Sequence, residues 1–332
     1  MKYIIDGHYD ILMDVAARRK KGERQVIRRR YYPAFQKGGV TGIVASIFVD
    51  SQYLPYGALS VAMEQISALH CEIEETPDLL MLCTSADDFL RAAETGRIGF
   101  LLSFEGAEPV SSCLLLHGFY AAGVRGLGLA WSRRNAAADG CDFSGSLKKG
   151  GLTEFGRELV KEAENLYMIL DLSHLSDEGV EDVLSITSCP VIASHSNSRA
   201  VAGSNRNLTD CQMREIASRG GTVGLNGCSL LTAGPGVSPD QNGLTAHLDH
   251  MTEIMGEDHV AFGFDFCDSF FADDLSSSTD QMPERPFDIL SGAHEDLPAF
   301  LDHLRQHGYT ESHLAKLAGE NWLHTFRHIL KH

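Results

Sequence analysis

Six residues able to bind a metal ion or move a proton stand at matching places along the chain: His8, Asp10, Glu105, His174, His195 and Asp265. Each follows a short apolar run. His8 and Asp10 come after YII, Glu105 after GFLLSF, His174 after MILDLS, His195 after VIAS and Asp265 after VAFGF. Imidazole nitrogens and carboxylate oxygens are the donors that hold a catalytic zinc while leaving one position open for water. Residues two apart in an extended chain project to one side, so His8 and Asp10 can reach the same ion. Glu105 has two oxygens and can bridge two ions, which ~3.5–4 Å apart would share a hydroxide and polarise a carbonyl. Singly, each residue has a plainer reading. Asp10 could cap the helix beginning at Ile11, Glu105 could be a surface acid, and Asp265 could cap a loop. A histidine after a strand is more often a hydrogen-bonded loop residue. Recurrence at equivalent strand ends argues against six separate accidents. His70, His247, His250, His303, His307, His313, His324 and His328 lack that placement and read as solvent-facing or core-edge residues.

Such residues converge only if the fold gathers strand ends. The strand candidates are Lys2–Asp6, Gly42–Val49, Ile98–Phe104, Val124–Ala130, Tyr167–Leu172, Val191–Ser194, Gly221–Asn226 and Val260–Phe264. Helical patterns lie between them, with Thr153, Ser176 and Thr209 placed to cap three, Gly220 and Gly221 to stop one and Gly256 another. Strands alternating with helices predict an α/β fold with a parallel sheet, and the count suits a closed (β/α)8 TIM-like barrel, whose C-terminal strand ends share one face. Residues 78–84, DLLMLCT, would make a further strand. With no repeat or Pro/Gly-rich linker, residues 1–332 read as one domain.

Composition narrows the partners. Hydrophobic residues make up 43% and charged residues 22%, the ordinary range of soluble globular chains. A formal charge of −17 argues against nucleic acid, which needs a basic footprint. No apolar run approaches a membrane span, and no N-terminal segment resembles a signal peptide. Eight scattered cysteines without a CxxC pair then predict free thiols and a cytoplasmic location. Residues 18–30, RRKKGERQVIRRR, read first as a solvated face and second as a rim attracting anionic substrates.

Taken together, the motifs resemble the membrane (renal) dipeptidase family of zinc peptidases, peptidase family M19, a branch of the amidohydrolase-like barrels. The matching pieces are DGHYD, FEGAEPV, GLTEFGRELVKEAENLYMILDLSHLS, PVIASHSNSRAV with NRNLTD, FGFDF and AGENWLHTF, in family order across nearly the whole chain. DLSHLS followed by SHSNSRA and NRNL is the specific combination, whereas HxD is common to many hydrolases. The resemblance implies two divalent metal ions, zinc by expectation. His8 and Asp10 would hold the first, His174 and His195 the second, and Glu105 would bridge them, with Glu108 its near competitor. It also implies hydrolysis of dipeptides, including those with a C-terminal D-residue, by a hydroxide held between the ions. Asp265 would pass a proton to the leaving amine, and Arg206, in NRNL, would grip the substrate carboxylate. Two places depart from the family pattern. Trp131 stands where a histidine is expected, so Trp131 is assigned to substrate contact, and either the metal alone stabilises the oxyanion or Asn135 or Arg133 contributes. DFCDS replaces DFDG, keeping Asp265 but changing the loop that follows it. Another amide or lactone hydrolase on the same metal frame is the alternative, and a binding protein that kept the barrel is the rival from another class. Family members often form homodimers, which makes a dimer an expectation.

Overall fold

Strands covered on both sides have no reason to alternate apolar with polar residues, and the strands of this protein are buried at every residue except Leu82 and Arg125. A computed structural model describes residues 1–142, 150–267, 288–290 and 293–331. Its strands are β1 (Ile5–Tyr9), β2 (Gly42–Phe48), β3 (Leu80–Leu82), β4 (Ile98–Glu105), β5 (Val124–Gly128), β6 (Ile169–Asp171), β7 (Ile192–Ala193), β8 (Thr222–Leu225) and β9 (Val260–Phe262). Eight run side by side in the order β1-β2-β4-β5-β6-β7-β8-β9, with parallel pairing throughout, as a nearly closed α/β barrel. The extra strand of residues 78–84 exists but lies off this path. β3 pairs with the first half of β4 (Leu80 with Ile98), and β5 takes the second half (Phe104 with Leu127).

Counting by two along each strand separates the inner face from the outer one. Ile5, Val44, Leu101, Ile169, Ile192 and Ala261 form one apolar cluster with Phe89, Trp322 and Phe326, which plug the bottom of the barrel. Two residues further up, the same faces carry Gly7, Ser46, Ser103, Asp171, Ser194 and Gly263, and two further still come Glu105 and Asp265. The barrel interior therefore turns from apolar to polar to ionisable as it nears its C-terminal mouth. Gly263 is required in the middle layer, because a Cβ there would sit 1.8 Å from the Ser194 carbonyl oxygen.

No ladder joins β1 to β9 among the described residues, and side chains close that seam. Asp6, 1% exposed, accepts from Phe264 N at 2.9 Å and bonds His294 Nε2 at 2.7 Å. Asp265 N donates to His8 O at 3.2 Å, and Trp322 Nε1 to Phe262 O at 2.8 Å. The Trp322 ring lies so near β1 that a Cβ at Gly7 would meet its Cζ2 at 2.4 Å.

Outer helices begin where the caps predict. Thr153, Ser176 and Thr209 accept from the backbone N–H groups of Gly156, Gly179 and Gln212, contacts that contribute ~1 kcal/mol each. The basic stretch is locally neutralised. Arg18 pairs with Asp14 and Glu23, Arg19 with Glu72 and Glu75, Lys20 with Glu64, Arg28 with Asp78 and Arg30 with Glu23. These pairs favour the solvated-face reading over the anion-attracting rim. All eight thiols are free. Among the described residues, no helix is long and apolar enough to cross a membrane. His247 departs from its expected place at the core edge: it is wholly buried, accepting from Ser198 N at 3.1 Å through Nδ1 and reaching Thr232 O at 3.2 Å through Nε2.

Candidate metal centre

β1 carries His8 within the strand rather than after it, and a register irregularity between Asp6 and Tyr9 re-aims its end. Asp10 occupies the cap position of the helix Ile11–Lys20 but makes no capping bond. Its carboxylate turns inward, to the Ser46 hydroxyl and to within 3.6 Å of His8 Nε2. Glu105 is the last residue of β4. Its Oε1 lies 2.9 Å from His174 Nε2 and 3.5 Å from His195 Nε2, and its Oε2 lies 3.6 Å from His8 Nε2. The two histidine Nε2 atoms are 2.9 Å apart. Asp265 Oδ1 approaches His8 Nε2 at 3.9 Å, and its Oδ2 accepts from Asn226 Nδ2 at 2.9 Å. His174 and Asp265 hold left-handed backbones, φ 69° and 59°, a strain of ~1–3 kcal/mol each that tends to gather at functional sites.

Crowding these groups distorts their ionisation. Burial alone would raise Glu105, but the His8 charge and bonds from His174 and His195 outweigh it and hold the carboxyl well below its usual range. Burial raises Asp10, and the Glu105 charge adds to this. Asp265 keeps 23% of its side-chain surface accessible, yet loss of water around its carboxyl, with Asp10 and Glu105 nearby, pushes it up to about 8. Burial and the Arg206 charge drive His174 down to about 3, and burial with the His8 charge drives His195 well below its ordinary value. For His8, burial opposes protonation, but Glu105 and Asp10 prevail and raise it well above 6.5.

This donor set fits divalent cations. Three groups each place ligand atoms within 4.8 Å of one another: His8, Asp10 and Glu105; Glu105, His174 and His195; His8, His195 and Asp265. Neutral His174 and His195 are in the ligating form, and His8 Nε2 is buried with no hydrogen-bond partner among the described residues. Glu105 belongs to two groups, the placement a bridging carboxylate needs. Glu108 is turned elsewhere, accepting from Arg133 Nε at 3.0 Å.

Around the donors lies a layer of hydroxyls and amides absent from the motif-based reading. Ser46 contacts Asp10 and Glu105 Oε2, Ser132 sits 2.8 Å from His174 Nδ1, and Ser194 sits 2.6 Å from His195 Nδ1. The Asn197 side-chain amide locks the Asn226 backbone, accepting from Asn226 N at 2.9 Å through Oδ1 and donating to Asn226 O at 3.1 Å through Nδ2. A sequence signal existed for Ser46 and Ser194: both lie on the inward face two residues above an apolar plug position.

The expected substrate residues separate. Arg206 is 6% exposed, donating to Ser196 Oγ at 2.7 Å and His195 O at 2.8 Å. Among the described residues no carboxylate pairs with it. Trp131 is half-buried and stacks on His174, ring centres 5.6 Å apart, with Phe48 at 5.5 Å. Asn135, expected against substrate, has its side-chain amide engaged within the protein. Its Oδ1 accepts from Ala137 N and Ala138 N at 2.8 and 3.0 Å, and its Nδ2 donates to Leu129 O at 2.9 Å, so the amide organises its own loop. Arg133 is held by Glu108 and by Val49 O at 2.6 Å. In DFCDS, Asp268 and Ser269 lie outside the described residues.

A parallel barrel whose strand ends gather three histidines and three carboxylates defines a metal-dependent hydrolase of the amidohydrolase-like type. More narrowly, the chain belongs to the membrane dipeptidase family, peptidase family M19, whose model matches residues 2–331. Among solved structures, the dipeptidase AC, a metallopeptidase of family M19, superposes with TM-score 0.83 at 30% identity, covering 99% of this chain and 98% of that one. A metallopeptidase from Rhodobacter sphaeroides, liganded with a phosphinate mimic of the dipeptide L-Ala-D-Ala, gives TM-score 0.83 at 29% identity, covering 98% and 99%. By sequence, an uncharacterised protein of the pqqA 5′ region of Klebsiella pneumoniae is 33% identical over 83% of this chain and 98% of its own length. Dipeptidase verJ of Clonostachys rogersoniana is 32% identical over 66% of this chain and 55% of its own length.

Proposed function

We propose that this protein is a binuclear metallo-dipeptidase that uses zinc and accepts dipeptides with a C-terminal D-residue. The observation that carries the reading is Glu105, whose two oxygens face two separate sets of donors, His8 with Asp10 and His174 with His195. Two divalent ions held there would polarise the scissile carbonyl and make water a nucleophile near neutral pH.

The chain's own residues supply the rest. Asp265, at the mouth beside His8 and oriented by Asn226, takes a proton from the attacking water and delivers it to the departing amine. Arg206 is a buried cation without a protein counter-ion among the described residues, a costly arrangement unless a ligand supplies the charge. A dipeptide's terminal carboxylate does so, with the two-pronged geometry a guanidinium favours. Trp131 gives the substrate an apolar wall, held against His174. The L-Ala-D-Ala mimic bound by the Rhodobacter relative supports the stereochemical part of the proposal.

Arg206 also sets this reading apart from an amide or lactone hydrolase, since a substrate without a free carboxylate leaves that cation uncompensated. The test is elemental analysis of the purified protein with an assay on matched L,L- and L,D-dipeptides. Two zinc ions per chain and turnover of both series are expected. Absence of turnover on every dipeptide refutes the activity, and one ion per chain refutes the binuclear centre.

A further inference from the structure

Beneath the donors, one hydroxyl touches ligands assigned to both metal positions. Ser194 Oγ lies 2.6 Å from His195 Nδ1 and, at the outer limit of a hydrogen bond, 3.5 Å from His8 Nδ1. The two rings stack with centres 3.6 Å apart. Ser194 has a single proton to give, and it goes to Asp171 Oδ2. Asp171 is fixed in turn: it is 5% exposed, and its Oδ1 accepts from Ser173 N at 3.0 Å and Ser194 N at 2.9 Å. A carboxylate only accepts, so the direction of the Ser194 hydroxyl is set. Its lone pairs face the imidazoles, so the Nδ1 atoms must carry protons, and each ring would meet a metal ion through Nε2.

We propose that Asp171 and Ser194 form a positioning pair that imposes the Nδ1–H tautomer on His195 and His8 together, and so prepares both metal positions through one hydroxyl. This rests on the binuclear reading above. Partners of this kind raise metal affinity by fixing ring orientation and tautomer, and their loss typically costs ~10–100-fold. Ser132 is the internal contrast. It contacts His174 alone among the ligands, and its other neighbour is Cys141 Sγ at 3.5 Å rather than a carboxylate, so its hydroxyl can turn either way.

Two substitutions separate polarity from shape. Ser194→Ala removes the shared acceptor. Asp171→Asn keeps the shape, but its Nδ2 can now donate to Ser194 Oγ, which reverses the hydroxyl and moves the His195 proton to Nε2. Histidine side-chain 15N–1H spectra of the metal-free protein should show His195 protonated at Nδ1 in the native chain and at Nε2 in Asp171→Asn, with Ser194→Thr native-like. Cobalt(II) titration followed by its visible bands should show Ser194→Ala weakening both ions by ~10–100-fold and Ser132→Ala weakening one. Circular dichroism checks that each variant is folded. Either result overturns the proposal: His195 remaining Nδ1-protonated in Asp171→Asn, or both dissociation constants within about twofold of native in Ser194→Ala. The tautomer spectra need no metal and decide the pair's role by themselves. A native chain that binds fewer than two ions overturns the binuclear reading instead.

Discussion

Replacing Arg206 by alanine tests the substrate assignment through two opposing energies. In the protein the guanidinium is 6% exposed and makes two hydrogen bonds, to Ser196 Oγ and His195 O, with no carboxylate beside it among the described residues. Removing it leaves those two acceptors short of a donor, at ~1–3 kcal/mol each. It also abolishes a buried, uncompensated charge whose desolvation costs several kcal/mol. The two effects offset, so the variant should melt within a few degrees of the native protein. Function has no such compensation. Two charge-assisted bonds to a substrate carboxylate contribute ~1.5–3 kcal/mol each, and their loss should lower kcat/KM by ~10²–10⁴, chiefly through KM. The assay compares a dipeptide with its C-terminal amide. Native enzyme should prefer the free acid strongly, whereas Arg206→Ala should treat the two alike with its metal content unchanged. Unaltered dipeptide kinetics in the variant would refute the reasoning, as would a native enzyme indifferent to the amide.

Asp265→Asn should lower kcat by ~10²–10⁴ while both metals stay bound, as expected for a proton carrier rather than a principal ligand; metal analysis beside steady-state kinetics distinguishes the two. Glu105→Gln should lose metal from both positions at once, visible as a concerted fall in stoichiometry, because one carboxylate serves both donor sets. Acid should destabilise the fold through His247. Burial lowers this histidine from 6.5 to about 4, so the unfolded chain takes up the proton first as pH falls. Its contribution is complete above pH 7 and is lost progressively down to pH 4, up to about 3 kcal/mol. Urea midpoints measured across that range should fall less steeply in His247→Gln, and parallel slopes would show that His247 does not titrate the fold.

The sequence by itself determined the candidate donors and their place. His8, Asp10, Glu105, His174, His195 and Asp265 stand out because strand-to-loop transitions are local events, written in a short apolar run and the polar residue that ends it. Capping by Thr153, Ser176 and Thr209 was legible for the same reason. What only the tertiary structure decided involves residues far apart in the chain. Asp6 and His294, separated by 288 positions, seal the seam between first and last strands. Barrel closure brings Glu105 rather than Glu108 among the three histidines, because Glu105 ends β4 while Arg133 draws Glu108 aside. Closure also leaves Arg206 without a counter-ion among the described residues, engages the Asn135 amide within its loop and sets Ser194 under two imidazoles from distant parts of the sequence. Periodicity tells which residues share the face of one strand. Which faces meet depends on how the eight strands tilt and close, and no local pattern carries that information.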